Sequence, residues 1–158
     1  MFAALALLAL PLLAKADFIE GCTRTAVVKA GDTCDELSTR HGVSTFQFAL
    51  VNDETVDTNC HNLQINQTVC LGVSGQDCTK IYTVVEDDTC DWIQQQYGIA
   101  NETLYANNPQ INADCTNIYI GEVLCVDTKA FTYPAYNATL FEAVAGSYVP
   151  YCDDDEDY

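Results

Sequence analysis

The nine cysteines are the residues whose chemistry the spacing constrains most: Cys22, Cys34, Cys60, Cys70, Cys78, Cys90, Cys115, Cys125 and Cys152. A cysteine can ligate a metal, attack an electrophile or pair with another cysteine. Zinc sites favour close C-x-x-C pairs, and none exists here, so neither metal nor cofactor is expected. A nucleophilic thiolate needs an activating base, and neither His41 nor His61 stands in a Cys/His arrangement. Disulfide formation remains, and this density in a short chain predicts a disulfide framework made in an oxidising compartment.

Other features agree with that compartment. Met1–Leu13 is an apolar run too short to span a bilayer, and it ends at Ala14-Lys15-Ala16, a small-x-small pattern. Residues 1–16 therefore read as a secretory signal peptide, with no membrane anchor after it. Sequons for N-glycosylation occur at Asn66, Asn101 and Asn137. The net charge of −17 repels nucleic acid and anionic lipid, so neither is an expected partner. Carboxylates are abundant, but no local context in the sequence raises a pKa, and an enzyme is not expected.

The first eight cysteines form two sets of four. Cys22 to Cys78 and Cys34 to Cys90 are each 56 residues apart; Cys60 to Cys115 and Cys70 to Cys125 are each 55. This is an internal repeat. Its copies span residues 22–72 and 78–127, followed by an aromatic and acidic segment, 128–158.

Each copy has the elements needed to position its cysteines. A β-like run (Thr25–Val28; Ile81–Val85) leads into a polar turn. A helix should follow, opened in copy one by the Thr33/Glu36 capping box and stopped by Gly42 or Gly98. Second helices are predicted at Thr45–Val51, with a Ser44/Gln47 capping box, and at Glu102–Asn107, with Asn101 as N-cap. Asn62–Leu71 and Asn117–Val126 read as bent second strands, with a turn at Asn66 and Gly121. The fold class is α+β: two tandem β-α-α-β modules whose strands pair antiparallel under both helices. A 50-residue module buries too little to be secure alone, and disulfides are the expected staple. Four cysteines allow three connectivities, which spacing does not decide.

The chain resembles the LysM module in its disulfide-bearing fungal form, and small secreted fungal LysM effectors as a whole. Copy two carries Tyr82-x-Val84, Asp88-Thr89-Cys90, Asn108-Pro109, Asn117-Ile-x-Ile-Gly121 and Cys125-Val126. Copy one carries Gly31-Asp32-Thr33-Cys34, Asn52, Asn62-Leu63-x-Ile65 and Cys70. The resemblance implies binding of chitin, a polymer of N-acetylglucosamine, and first-to-third and second-to-fourth disulfides: Cys22–Cys60, Cys34–Cys70, Cys78–Cys115 and Cys90–Cys125. It also implies a shallow sugar groove between two loops. These are Gly31, Asp32, Thr33 with Asp53, Glu54, Thr55, Val56 in copy one, and Asp87, Asp88, Thr89 with Pro109, Gln110, Ile111, Asn112 in copy two. An N-acetyl group would pair with loop backbone while its methyl rests on Ile111 or Val56. Copy two has Asp87 where the family has glycine, and copy one has Asp53 where it has proline.

The expected function is a secreted, non-catalytic chitin-binding protein of the apoplast or hyphal wall. It would sequester chitin fragments from host immunity or shield the wall, with two sites giving avidity. The alternatives are a wall-associated adhesion protein and a targeting module related to chitinase-like enzymes. Cys152, without a counterpart, is left for a disulfide homodimer or a free thiol; chitin could also bridge two copies. Asp32 and Asp88 are expected as helix caps, and Trp92 as a packing residue.

Overall fold

The computed structural model describes residues 21–57 and 60–133. The N-terminal run, Asn137, Cys152 and the acidic tail lie outside them. Eight elements occur in two matching sets: β1 (Cys22–Val27), α1 (Cys34–His41), α2 (Thr45–Val51) and β2 (Thr68–Val73), then β3 (Ile81–Thr83), α3 (Cys90–Tyr97), α4 (Asn101–Asn107) and β4 (Val123–Cys125). β1 pairs antiparallel with β2, and β3 with β4. The chain is therefore two tandem β-α-α-β modules.

The helices begin and end for local reasons. Thr33 caps α1 by accepting from Glu36 N–H, and the Glu36 side chain accepts in return from Thr33 N–H, completing the predicted capping box. Thr89 caps α3 in the same way through Trp92 N–H. Such a cap contributes about 1 kcal/mol. Gly42 and Gly98 end these helices in the left-handed conformation, at φ 64° and 60°.

Several boundaries differ from expectation. Ser44 does cap α2, but Gln47 does not reciprocate. Its amide instead donates to Leu71 O and Asp77 Oδ1 and accepts from Cys78 N–H, tying α2 to β2 and to the start of the second module. Asn101 is the first residue of α4 rather than its cap; Ala100 holds that position without a side-chain bond. The second strands start late, because Asn66 (φ 69°) and Gly121 (φ 93°) turn the chain just before pairing begins.

The disulfides correct the pairing implied by the resemblance. They join first to fourth and second to third: Cys22–Cys70, Cys34–Cys60, Cys78–Cys125 and Cys90–Cys115. Strand alternation gives the reason. Val69 and Leu71 face the first core with Ala26, Val28, Cys34, Leu37 and Phe48. Cys70, between them, points to the opposite face; Cys22 shares the parity of Ala26 and reaches Cys70 only because the register of β1 shifts between Cys22 and Thr25. Cys34 lies on the core side and meets Cys60 there. In the second module Leu124 and Val126 face the core with Cys90, while Cys125 points away from it.

The two modules share a polar seam. Thr45 at the start of α2 donates to Asp35 Oδ1 (2.8 Å) and accepts from Val123 N–H (2.9 Å). The Tyr119 hydroxyl donates to Asp35 Oδ2 (3.2 Å). The segment after β4 adds an apolar tie. Asn107 donates to Asp127 O and Lys129 O and accepts from Phe131 N–H, which brings Tyr133 edge-on to Phe46 of α2, with ring centroids 5.0 Å apart. Among the described residues, no helix is long and apolar enough to cross a membrane.

Arg24 closes the back of module one. Its guanidinium donates to both Asp77 oxygens (2.6 Å each) and to His41 O, linking β1, the end of α1 and the inter-module linker. Gly72 leaves room for this tie, because a Cβ there would fall on the Asp77 carboxylate. Gly72→Ala is therefore expected to displace Asp77 and cost about 1–3 kcal/mol, read as a lowered urea midpoint.

Candidate functional site

In each module the loop before the first helix is shaped by an aspartate and a left-handed residue. Asp32 Oδ2 accepts from Lys29 N–H (2.8 Å), and Arg40 forms an ion pair with the same oxygen (2.7 Å). Asp88 Oδ2 accepts from Val85 N–H (2.8 Å) and from the Tyr82 hydroxyl (2.6 Å). Both aspartates thus close the turn and cap no helix, contrary to expectation; the adjacent Thr33 and Thr89 are the caps. The Arg40 guanidinium, then Lys29 N–H, hold the Asp32 carboxyl below its ordinary range. Gly31 sits at φ 83° and Asp87 at φ 67°. Only glycine takes that conformation freely, so Asp87→Gly is expected to stabilise module two by about 0.5–1 kcal/mol in chemical denaturation.

The loop after the second helix is built twice by the same asparagines. The Asn52 amide donates to Phe48 O and Cys70 O and accepts from Cys70 N–H; Asn108 does the same with Leu104 O, Cys125 O and Cys125 N–H. Asn62 accepts from Asp57 N–H and donates to Thr55 O, and Asn117 accepts from Asn112 N–H and donates to Gln110 O. The sequence presents these four residues as motif letters; the structure shows them holding the loop open by replacing backbone partners.

The two loops meet at their roots. Cys34 directly follows Thr33 and is bonded to Cys60; Cys90 directly follows Thr89 and is bonded to Cys115. Val56 joins Val28 and Cys34 in one core, and Ile111 joins Val84 and Cys90 in the other. Val56 and Ile111 are 6 % and 5 % exposed, so both anchor their loops from within and neither stands open as a rest for a methyl group. Gly31, Thr33, Asp53, Glu54 and Thr55 are exposed in module one, as are Asp87, Thr89 and Asn112 in module two; Pro109 is half-buried.

Gln110 turns inward, donating to Glu122 Oε1 (2.9 Å), and its own Oε1 is buried without a partner. Glu122 is 2 % exposed. Burial pushes its pKa up to about 7, against the Gln110 hydrogen bond and with help from the Asp35 charge. Asp35 is raised too, by burial, against donation from Thr45 and Tyr119. The sequence offered no sign of these perturbed carboxylates, because their environment exists only where the modules meet. Perturbed acids often mark active sites, but this pair lies inside the seam rather than in either loop pair. The loops themselves present backbone groups and polar side chains, the acidic Asp53, Glu54 and Asp87 among them.

The exposed faces of Asn66 and Asn101 carry two of the sequons. Among the described residues, no group of three or more His, Cys, Asp or Glu is placed to hold a metal ion.

Comparison with known proteins matches a family model described as the LysM domain at residues 26–72 and 82–127. Among curated relatives, "Non-secreted LysM effector LysM15" of Penicillium expansum is 29 % identical over 69 % of this chain and 8 % of its own length. "Secreted LysM effector LysM1" of Trichophyton rubrum is 28 % identical over 66 % of this chain and 50 % of its own. "Secreted LysM effector LysM2" of Penicillium expansum is 28 % identical over 77 % and 38 %. The chain thus spans at most half the length of these relatives.

Proposed function

We propose, from the premise that this chain belongs to the LysM domain family, that it is a non-catalytic protein binding polymers of N-acetylglucosamine through the paired loops of its two modules. The observation that carries this reading is the duplicated loop pair. One asparagine network and one second-to-third disulfide hold the same two loops together twice, leaving exposed backbone and polar side chains between them, the acidic Asp53, Glu54 and Asp87 included. A neutral sugar polymer suits a chain of charge −17, since it carries no charge to repel. Two sites fixed in one chain hold a repeating polymer more tightly than either alone.

The names of two fungal relatives, both secreted LysM effectors, support a secreted effector role, although a third is named non-secreted; in our reading the protein sequesters chitin fragments or shields the hyphal wall. The test is a pull-down of the oxidised chain on chitin, chitosan, cellulose and peptidoglycan at low salt and at 1 M, where screening acts within about 3 Å. Retention on chitin at both salt levels is expected. Retention on chitosan alone, removed by salt, would mean attraction of an acidic protein to a cationic polymer and would sink the reading.

A further inference from the structure

Tyr82 on β3 and Trp92 and Tyr97 on α3 form an aromatic cluster on module two. The Tyr82 ring centroid lies 5.9 Å from that of Trp92 and 5.4 Å from that of Tyr97, with interplanar angles of 46° and 52°. Trp92 is 43 % exposed and Tyr97 40 %. Tyr82 packs one side against the second core and donates its hydroxyl to Asp88 Oδ2. Asp88 belongs to the first site loop, so the rings are fixed to that loop and continue its surface.

Folding does not require this cluster. The positions 56 residues earlier are Ala26, Glu36 and His41, and module one forms the same four elements without any of the three rings. The aromatics are an addition to module two alone, and two of them present large ring surface to water. Their chemistry selects an occupant. A β-linked pyranose with equatorial substituents has a flat C–H face that stacks on an aromatic ring, while its hydroxyls stay hydrated at the rim. Of the charged residues near the cluster in sequence, Lys80 pairs with Asp127 (3.6 Å) and Asp88 and Asp91 are acidic, which disfavours nucleic acid; a second copy of this acidic chain is repelled as well.

We propose that Tyr82, Trp92 and Tyr97 form a stacking subsite that takes one neutral β-linked amino-sugar ring of a chain running onto the Asp87–Thr89 loop. The inference rests on the sugar-binding reading above and deepens it: module two grips a longer stretch of polymer than module one, and does so partly through ring faces.

Trp92 is the chain's one tryptophan, so its emission reports directly on the subsite. The experiment titrates the full oxidised chain with the N-acetylglucosamine hexamer, following tryptophan emission and binding heat together, and repeats the calorimetry with Trp92→Ala. The expected result is a saturable emission change with the midpoint of the heat, and about a three- to tenfold loss of affinity in the variant. The variant's urea midpoint should fall only slightly, because Trp92 is 43 % exposed and its covered side meets Tyr82. Saturable heat with unmoved emission overturns the subsite and leaves loop binding standing. Unchanged affinity in a folded Trp92→Ala also overturns it, whatever the emission does. Absence of heat with the hexamer removes both the subsite and the reading beneath it. If Trp92→Ala does not fold, the emission titration of the parent chain decides alone.

Discussion

Glu122→Gln is expected to remove most of the pH dependence of unfolding between pH 4.5 and 7. Glu122 sits in the seam with its carboxyl raised from 4.5 to about 7, chiefly by burial. The folded state therefore binds a proton that the unfolded state releases. Its stabilising contribution is complete below pH 4.5, falls as pH rises, and is gone above about 7. The difference corresponds to about 3 kcal/mol, large against the reserve of a domain this small.

The groups around it act in the same direction. Asp35 from α1 is raised by burial, the Tyr119 hydroxyl is raised by burial and by Asp35, and Gln110 is neutral. Among the described residues, no cation pairs with either carboxylate. Asp32 and Asp77 are lowered and stabilise in the opposite sense, but their contribution is lost only as pH falls below about 4. Urea unfolding at pH 4.5, 6 and 8 should show the parent weakening with pH and Glu122→Gln weakening much less, the remainder coming from Asp35; His41, held low chiefly by burial, acts in the opposite sense. Parallel curves for the two proteins would contradict the placement of Glu122 in a dry seam.

The second large effect concerns the disulfides. Cys78–Cys125 closes a span of 47 residues and Cys90–Cys115 one of 25. In the chain-entropy picture these contribute about 4 and about 3.5 kcal/mol. Replacing either pair by alanine should unfold module two near body temperature, since a module of this size has little other reserve. The consequences differ at lower temperature. Cys78–Cys125 staples the strands, whereas Cys90–Cys115 holds the two loops of module two together, so its loss should abolish that module's share of sugar binding, leaving module one's, even where the helical signal survives. Peptide mapping without reduction checks the pairing itself: the expected cross-linked peptides join Cys22 to Cys70 and Cys34 to Cys60. A peptide joining Cys22 to Cys60 would overturn the assignment.

The disulfide pattern was only half legible, because the register shifts in β1 that turn Cys22 toward Cys70 leave no signal in the sequence. Val69-Cys70-Leu71 and Leu124-Cys125-Val126 alternate around a cysteine, and alternation places that cysteine on the face away from the core. A helix packed on the core cannot reach it. The caps were legible for a related reason: Thr33 with Glu36, and the glycines at 42 and 98, act within one turn of chain, so local sequence suffices. The duplication was legible too, because it follows from cysteine spacing alone.

What was not legible depends on contacts between distant segments. Asp35, Thr45, Tyr119 and Glu122 lie in both modules and read singly as surface residues; only docking of the modules makes them a seam. Gln47 looked like a cap because the rule is local, yet its amide is drawn to β2 and the linker. In the loops expected to form the site, several side chains have other partners than those expected of them. Val56 and Ile111 are buried by their own core, and Gln110 is taken by Glu122.

The central claim is that the paired loops recognise N-acetylglucosamine rather than polysaccharide charge. Calorimetry of the oxidised chain with hexamers of N-acetylglucosamine and of glucosamine, each in 1 M salt, tests it most directly. The account predicts saturable heat with the acetylated hexamer and none with the deacetylated one. Heat from neither, or equal heat from both, would contradict it.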